Sequence, residues 1–275
     1  MSTEIELQPV HESALLRGFS TIYYKENCDW MHTHRWWINA IFWPIVLCGL
    51  VANLLLVANA FPLDITEEVI AVGGLTEYII SLGLSVFFDF GLRVVGFGVI
   101  VLSFDLLISE RENGVVEWML TKPVTRRSII LAKLAANGKF ILLFLIFIPA
   151  IITYGMLSIK MDGFFPVVPY LAGVGIMILH SFFYLALAIM LGTLTSSRMV
   201  VLGISAVLLL GGSILMGLVD ALKYVSPFSL SNLATIVTGN QMISPGLLWP
   251  PILSTVAWSV IFVYVALRKF KRLEL

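Results

Sequence analysis

Charged side chains are concentrated in one stretch of the chain, residues 105–138. Carboxylates and cations alternate within it, namely Glu110, Arg111, Glu112, Glu117, Lys122, Arg126, Arg127 and Lys133. Side chains of these types form salt bridges and recognise partner surfaces. Motifs for a serine nucleophile, a His-Glu zinc helix or paired catalytic carboxylates do not occur. We therefore interpret the stretch as a contact segment, and an intramembrane hydrolase is disfavoured.

A nucleotide-binding loop is also missing from the sequence. The nearest match to a phosphate-binding loop is Asn137-Gly138-Lys139-Phe140, which lacks the first glycine and the Ser/Thr that would meet magnesium. If this chain moves a substrate, either a partner hydrolyses ATP or an ion gradient drives it. We expect no cofactor on this chain itself.

Two ionisable residues, Asp89 and Arg93, fall inside an apolar segment. They are four residues apart, so they share a helical face and can pair. This pair is either a packing feature or a pathway or gating site, and the second reading leaves a gradient-driven carrier or channel as the alternative function. His180 lies alone in another apolar segment and is interpreted as a packing residue.

A metal site is not predicted. His32 and His34 lie near Asp29, but positions i and i+2 of a helix point to different faces. The two cysteines, Cys28 and Cys48, fall in segments of different character, so no disulfide is predicted.

Composition identifies the chain as a membrane protein. Of its 275 residues, 59% are hydrophobic and 12% are charged, about half the charged share of a soluble domain. Apolar runs of about 20 residues recur, which is the length that crosses a ~30 Å hydrocarbon core. The net charge is zero, which gives no indication of nucleic-acid binding.

The predicted fold is an all-α membrane protein with six transmembrane helices and an N-terminal amphipathic interfacial helix. The predicted organisation is residues 1–35 for the terminus and amphipathic elbow helix, 36–267 for the six-span domain, and 268–275 for a basic tail. The spans are expected near 37–60, 78–107, 140–159, 170–194, 199–219 and 247–267. The second is too long to cross straight, so a tilt or a break near Asp89–Arg93 is expected. No signal peptide is expected.

Basic residues predict the orientation. Fourteen of the 17 Lys and Arg residues fall before span one, in 105–139, in the turn at Arg198 or after span six. Only Lys160 and Lys223 fall on the other side. By the positive-inside rule, both termini and the contact segment are cytoplasmic, in an inner, plasma-type membrane.

Local signals in the contact segment predict an elbow. Gly114 permits a sharp turn, residues 115–120 form a short helix with an apolar face, and Pro123 ends it. Thr125 is placed to cap a further helix that runs on into span three. An apolar short helix between charges indicates a surface that binds a partner.

These residues resemble the permeases of type-two ABC exporters. The resemblance rests on residues 109–114, SERENG, on Pro123-Val124-Thr125-Arg126, on Ala132-Lys133, and on Tyr24-Lys25-Glu26 before span one. It covers nearly the whole chain and is most similar to the permease subgroup that matures nitrous-oxide reductase. Val115-Val116-Glu117 and Ala132 depart from that family's usual pattern.

The resemblance implies an ATP-driven exporter. It implies two permease copies, with a homodimer expected, and a separate ATP-binding subunit that holds ATP and Mg²⁺. Contact with that subunit would involve Glu110, Arg111, Glu112, Gly114, Glu117, Trp118, Lys122, Pro123 and Arg126, with an elbow at Lys25 and Glu26. Membrane lipids are the remaining partners. The substrate stays open among lipids, drugs, peptides, polysaccharide precursors and maturation factors, because the spans contain no selective polar set.

Overall fold

The computed structural model describes residues 16–60, 69–70, 73–218, 226–239 and 244–272, with the exception of the side chains at 57–60, 120, 213 and 216. Every regular element among the described residues is helical. The prediction of an all-helical chain is confirmed for this part of it. The N-terminal residues up to Leu15, which include part of the predicted amphipathic helix, lie outside the described residues.

Among the helices that the described residues form, seven α-helices of five or more residues lie in the first half of the chain and five in the second. The first seven are α1 (Phe19–Met31), α2 (Arg35–Ala60), α3 (Leu75–Ser85), α4 (Gly91–Ser103), α5 (Ile108–Glu112), α6 (Val115–Leu120) and α7 (Arg126–Ile141). A π-helical turn, Val86–Phe90, joins α3 to α4 without a break in the helix. The distortion that the sequence predicts near Asp89 is therefore a wide turn inside one long helix.

The second half forms five more helices. They are α8 (Ile148–Lys160), α9 (Val167–Leu194), α10 (Arg198–Leu218), α11 (Leu230–Thr238) and α12 (Pro245–Lys271). A second π-helical turn, Leu142–Phe147, connects α7 to α8. Pro149 lies two residues after it, and proline has no N–H to donate to the carbonyl four residues earlier, so the helix widens just before it.

Five stretches are long and apolar enough to cross a membrane, namely Arg35–Leu56, Leu75–Glu112, Arg126–Lys160, Val167–Leu194 and Pro245–Lys271. α10 is apolar too, and its described apolar stretch, Arg198–Gly212, is shorter than a full crossing. The structure thus supports five of the six predicted spans by length and composition, and the sixth stays a prediction.

The core of the bundle is α9. It packs against α4, α10, α11 and α12 and is the most buried of the long helices. Gly173 shows why the packing is close: a Cβ at this position would lie 2.3 Å from the Thr238 side chain of α11 and 2.8 Å from the Phe88 ring. α11 therefore packs against α9, with Thr238 at the contact and with Leu230 and Leu233 buried.

The ends of several helices follow their sequence signals. Thr125 caps α7, accepting a hydrogen bond from the Ser128 backbone N–H. Ser244 and Pro245 begin α12, as predicted. α12 extends to Lys271, past the predicted end, so three basic residues lie in its last turn, where the helix dipole favours cations.

Candidate functional site

The contact segment lies at one end of the bundle, which we call the polar end. The polar end comprises α1, α5, α6, the start of α7, the α9–α10 turn and the last turn of α12. Hydrogen bonds and ion pairs between these elements bring them together. The nine predicted contact residues separate here into those that bind other helices of the same chain and those that face outwards.

Glu110 is turned inwards and forms the centre of an ion-pair cluster. Its carboxylate lies 2.5 Å from Lys25 Nζ of α1 and 2.8 Å from Lys133 Nζ of α7. Lys133 also donates to Glu26 Oε1 at 2.8 Å. Lys25 also lies 3.6 Å from Glu26 and 3.7 Å from Asp29, so the cluster joins three carboxylates to two ammonium groups.

Hydrogen bonds extend this cluster along α1 and α7. Asn137 donates to the backbone carbonyl of Lys133 and accepts from Trp30 Nε1 at 2.9 Å. The Trp30 ring stacks on Phe140. Burial opposes the charged form of Lys25, but the hydrogen bond to Glu110 and its charge outweigh burial and raise the pKa of Lys25. Lys25 is thus protonated throughout the neutral range.

The glycine that precedes α1 allows this helix to pack closely against the bundle. Gly18 has φ +82°, and a Cβ there would lie 2.6 Å from the Val124 side chain. The adjacent Arg17 carbonyl accepts a hydrogen bond from the Thr125 N–H at 3.0 Å. Glu26 lies on the buried face of α1, because Ile22, Glu26 and Trp30 form one buried stripe. The same spacing of four residues in the sequence carried that signal.

Three further residues of the contact segment bind the ends of α9, α10 and α12. Arg111 donates to the carbonyls of Gly192 and Thr195 at the end of α9. Glu112 accepts from Arg198, the first residue of α10, at 2.5 Å, and Arg198 also pairs with Asp105 at 2.8 Å. Arg126 donates to the carbonyls of Phe270 and Lys271 at the end of α12, each at 3.2 Å.

The outward surface is carried by α6. Gly114, at φ +66°, makes the turn predicted at this position and begins the helix. Val116 and Met119 are buried against the bundle, whereas Glu117 is exposed and Trp118 is 59% exposed. Lys122 Nζ lies 3.6 Å from the centre of the Trp118 ring, and Pro123 is exposed beside it. α6 therefore exposes an aromatic and charged patch on one face and packs its other face against the bundle.

Asp89 and Arg93 lie apart from the polar end. They form the predicted pair, with Arg93 Nη2 at 3.0 Å from Asp89 Oδ1, and both side chains are about a third or more exposed on the outside of the chain. His180 is buried and meets the Tyr184 ring edge-on. Among the described residues, no group of three or more His, Cys, Asp or Glu side chains could hold a metal ion.

Sequence reasoning did not find the partners of Lys133, Asp105 and Arg198. Each partner is distant in sequence: Lys133 and Glu26 are 107 residues apart. The available signals were Glu26, midway between Ile22 and Trp30, and Lys133, four residues before Asn137.

Five helical stretches long and apolar enough to cross a membrane indicate an integral membrane protein. The model of the ABC-2 family transporter proteins matches residues 20–275, nearly the whole chain, and the chain belongs to this family. It is therefore an ABC-type permease, a membrane transport component. Comparison with curated proteins gives no match.

Proposed function

We propose that the chain is the permease subunit of an ATP-driven exporter and that α6 receives the motion of a separate ATP-binding subunit. The observation that carries this proposal is the outward patch of Glu117, Trp118 and Lys122. Trp118 is 59% exposed on this six-residue helix, so most of the ring faces away from the bundle. Tryptophan is enriched at the energetic centre of protein interfaces.

The hydrogen-bonded neighbours of α6 support a transmission role. α5 and α6 follow each other directly, and α5 carries Glu110, Arg111 and Glu112, which bind α1, α7, α9 and α10. A displacement of α6 therefore acts on four helices through charged contacts and not through a flexible loop. The buried part of this linkage, Glu110–Lys133, resists separation because each charge would be left unpaired.

The proposed orientation puts the polar end in the cytoplasm of an inner, plasma-type membrane. The exposed cations at this end fit the positive-inside rule. A second permease copy, forming a homodimer, and the sixth span formed by α10 belong to the same proposal. The subgroup that matures nitrous-oxide reductase is the finer assignment that the motif residues favour.

Co-purification tests the proposal. Trp118→Ala and Glu117→Lys, both on the exposed face of α6, should each weaken recovery of the ATP-binding subunit and lower its permease-stimulated ATPase activity. Trp249→Ala is the matched control, since Trp249 is similarly exposed but lies at the start of α12. Unchanged association and unchanged stimulated ATPase in both test variants would refute the docking role.

Cysteine labelling tests the orientation independently. In a chain with Cys28 and Cys48 replaced by serine, Thr121→Cys should be protected from a membrane-impermeant maleimide in intact cells. Asp162→Cys, on the exposed turn between α8 and α9, should be labelled. The reverse pattern would overturn the proposed orientation.

The gradient-driven alternative has little support. It requires Asp89 or Arg93 to act as a free ionisable group, but the two pair with each other, and membership of the ABC-2 family does not favour it.

A further inference from the structure

A cationic cleft lies between the start of α7 and the end of α12. Its volume is about 620 Å³. Four cations line it, Arg127 from α7, Arg268 and Lys271 from α12 and Arg272 directly after α12, and no carboxylate of the described residues does. The remaining lining residues are Leu16, Leu131, Tyr264 and Leu267.

These four cations differ from the others at the polar end. Lys25, Arg111, Arg126, Lys133 and Arg198 each bind a carboxylate or a carbonyl of the chain. None of the four cleft cations pairs with a carboxylate of the described residues. A general preference for positive charge at this end explains their number but not their convergence on one cleft.

Helix dipoles do not account for the cleft either. Arg127 lies in the first turn of α7, where the dipole is positive and disfavours a cation, and this turn contains no acidic residue. The dipole of α12 favours cations at its end, but Arg126 already donates to the last carbonyls there. An anion bound in the cleft would offset the charge of Arg127 and the α7 dipole together.

The lining is graded along both helices. On α7, Leu131 lies one turn deeper into the bundle than Arg127. On α12, Tyr264 lies one turn deeper than Arg268, and its ring is 58% exposed. Because the cations occupy the outer part and the apolar side chains the deeper part, the cleft matches an amphiphile with an anionic head and an acyl chain.

We infer that this cleft binds an anionic phospholipid, with the phosphate on Arg127, Arg268, Lys271 and Arg272 and an acyl chain along Leu131, Tyr264 and Leu267. Basic pockets between membrane helices suit anionic headgroups, and each cation near the membrane surface contributes a modest electrostatic attraction. Tyr264 lies where an aromatic ring is favoured, between the headgroups and the chains. The site is independent of α6 and of docking by an ATP-binding subunit.

Native mass spectrometry of the purified full-length chain in detergent tests the site. Phosphatidylglycerol should bind more tightly than phosphatidylcholine with the same acyl chains. Lys271→Gln and Arg127→Gln should each weaken phosphatidylglycerol binding about five-fold. Lys271→Arg should retain binding.

The matched control is Lys269→Gln. Lys269 is exposed on the same helix end and carries the same charge, but it does not line the cleft. An equal loss in Lys269→Gln and Lys271→Gln would overturn the site in favour of diffuse surface charge. Inorganic phosphate should not displace phosphatidylglycerol at equal concentration, and full displacement would mean an anion site without lipid selectivity.

The remaining competitor is an acidic surface of a protein partner. If Arg127→Gln/Lys271→Gln lost the ATP-binding subunit on co-purification while phosphatidylglycerol binding stayed unchanged, the cleft would be a protein contact and the lipid proposal would fail. Because the lipid titration uses the permease alone, its outcome does not depend on the docking of α6.

Discussion

Lys133 Nζ lies 2.8 Å from Glu110 Oε2, and the Lys133 side chain is only 2% exposed. The same ammonium group lies 2.8 Å from Glu26 Oε1. One lysine of α7 thus joins the helix before the first span to the helix that follows the second. If Lys133 were removed, both buried carboxylates would lose this compensating charge.

Replacing Lys133 by methionine should destabilise the protein by about 3–5 kcal/mol, because Glu26 and Glu110 would stay buried with less compensation. Thermal unfolding of the purified chain measures the loss. Lys139→Met is the control, since Lys139 is exposed on the same helix and should cost far less. In a double-mutant cycle, Glu26→Gln should cost less in the Lys133→Met background than in the native chain. Additive losses would contradict the pairing.

Gly18→Ala should release α1 from the bundle. The new Cβ would clash with Val124 at 2.6 Å, and the left-handed backbone at φ +82° costs a further 1–2 kcal/mol or so. Limited trypsin digestion should then cut faster after Lys25, which is half-buried in the native chain. Adding Val124→Ala should remove the clash but not the backbone strain, and so restore part of the protection. Cleavage unaffected by Gly18→Ala would show that the packing of α1 does not depend on the close approach of Gly18 to Val124.

Thr125→Val should destabilise the start of α7 by about 1 kcal/mol, because the side chain no longer accepts the Ser128 N–H. Valine keeps the shape and removes the hydroxyl. Thr125→Ser keeps the hydroxyl and should unfold close to the native temperature. If serine and valine lowered the unfolding temperature equally, the cap would not be the cause.

Gly173→Ala should destabilise the bundle by about 1–3 kcal/mol through overpacking between α9, Thr238 and Phe88. Gly175→Ala lies two residues along the same helix, and nothing lies within 4 Å of its new methyl group. It should be neutral or slightly stabilising, because alanine favours the helix. Chemical denaturation of both variants measures the difference, and the packing account fails if their midpoints coincide.

Local signals allowed much of the fold to be predicted. Thr125 and Gly114 mark helix starts through a side-chain cap and a left-handed backbone respectively, so their effect does not depend on distant residues. Apolar length likewise predicts a crossing from a single segment, as in α9. The extension of α12 to Lys271 was missed because charged residues that end an apolar run do not necessarily end its helix.

The contact partners could not be predicted in the same way. Glu110 was expected to meet a partner subunit, but its carboxylate binds Lys25 and Lys133 inside the chain. A carboxylate in a sequence does not say which cation the fold brings near it. The outward direction of Trp118 likewise depends on Val116 and Met119 being buried beneath it, which follows only from the position of α6 on the bundle.

The separation of 107 residues between Glu26 and Lys133 also orders events during synthesis. α1 leaves the ribosome long before the lysine that neutralises its buried carboxylate. Until Glu110 and Lys133 have been made, Glu26 lacks its buried ion pair, so we expect α1 to stay undocked from the bundle. The docking of α1 is therefore a late step in biogenesis, after the first two membrane helices have been inserted.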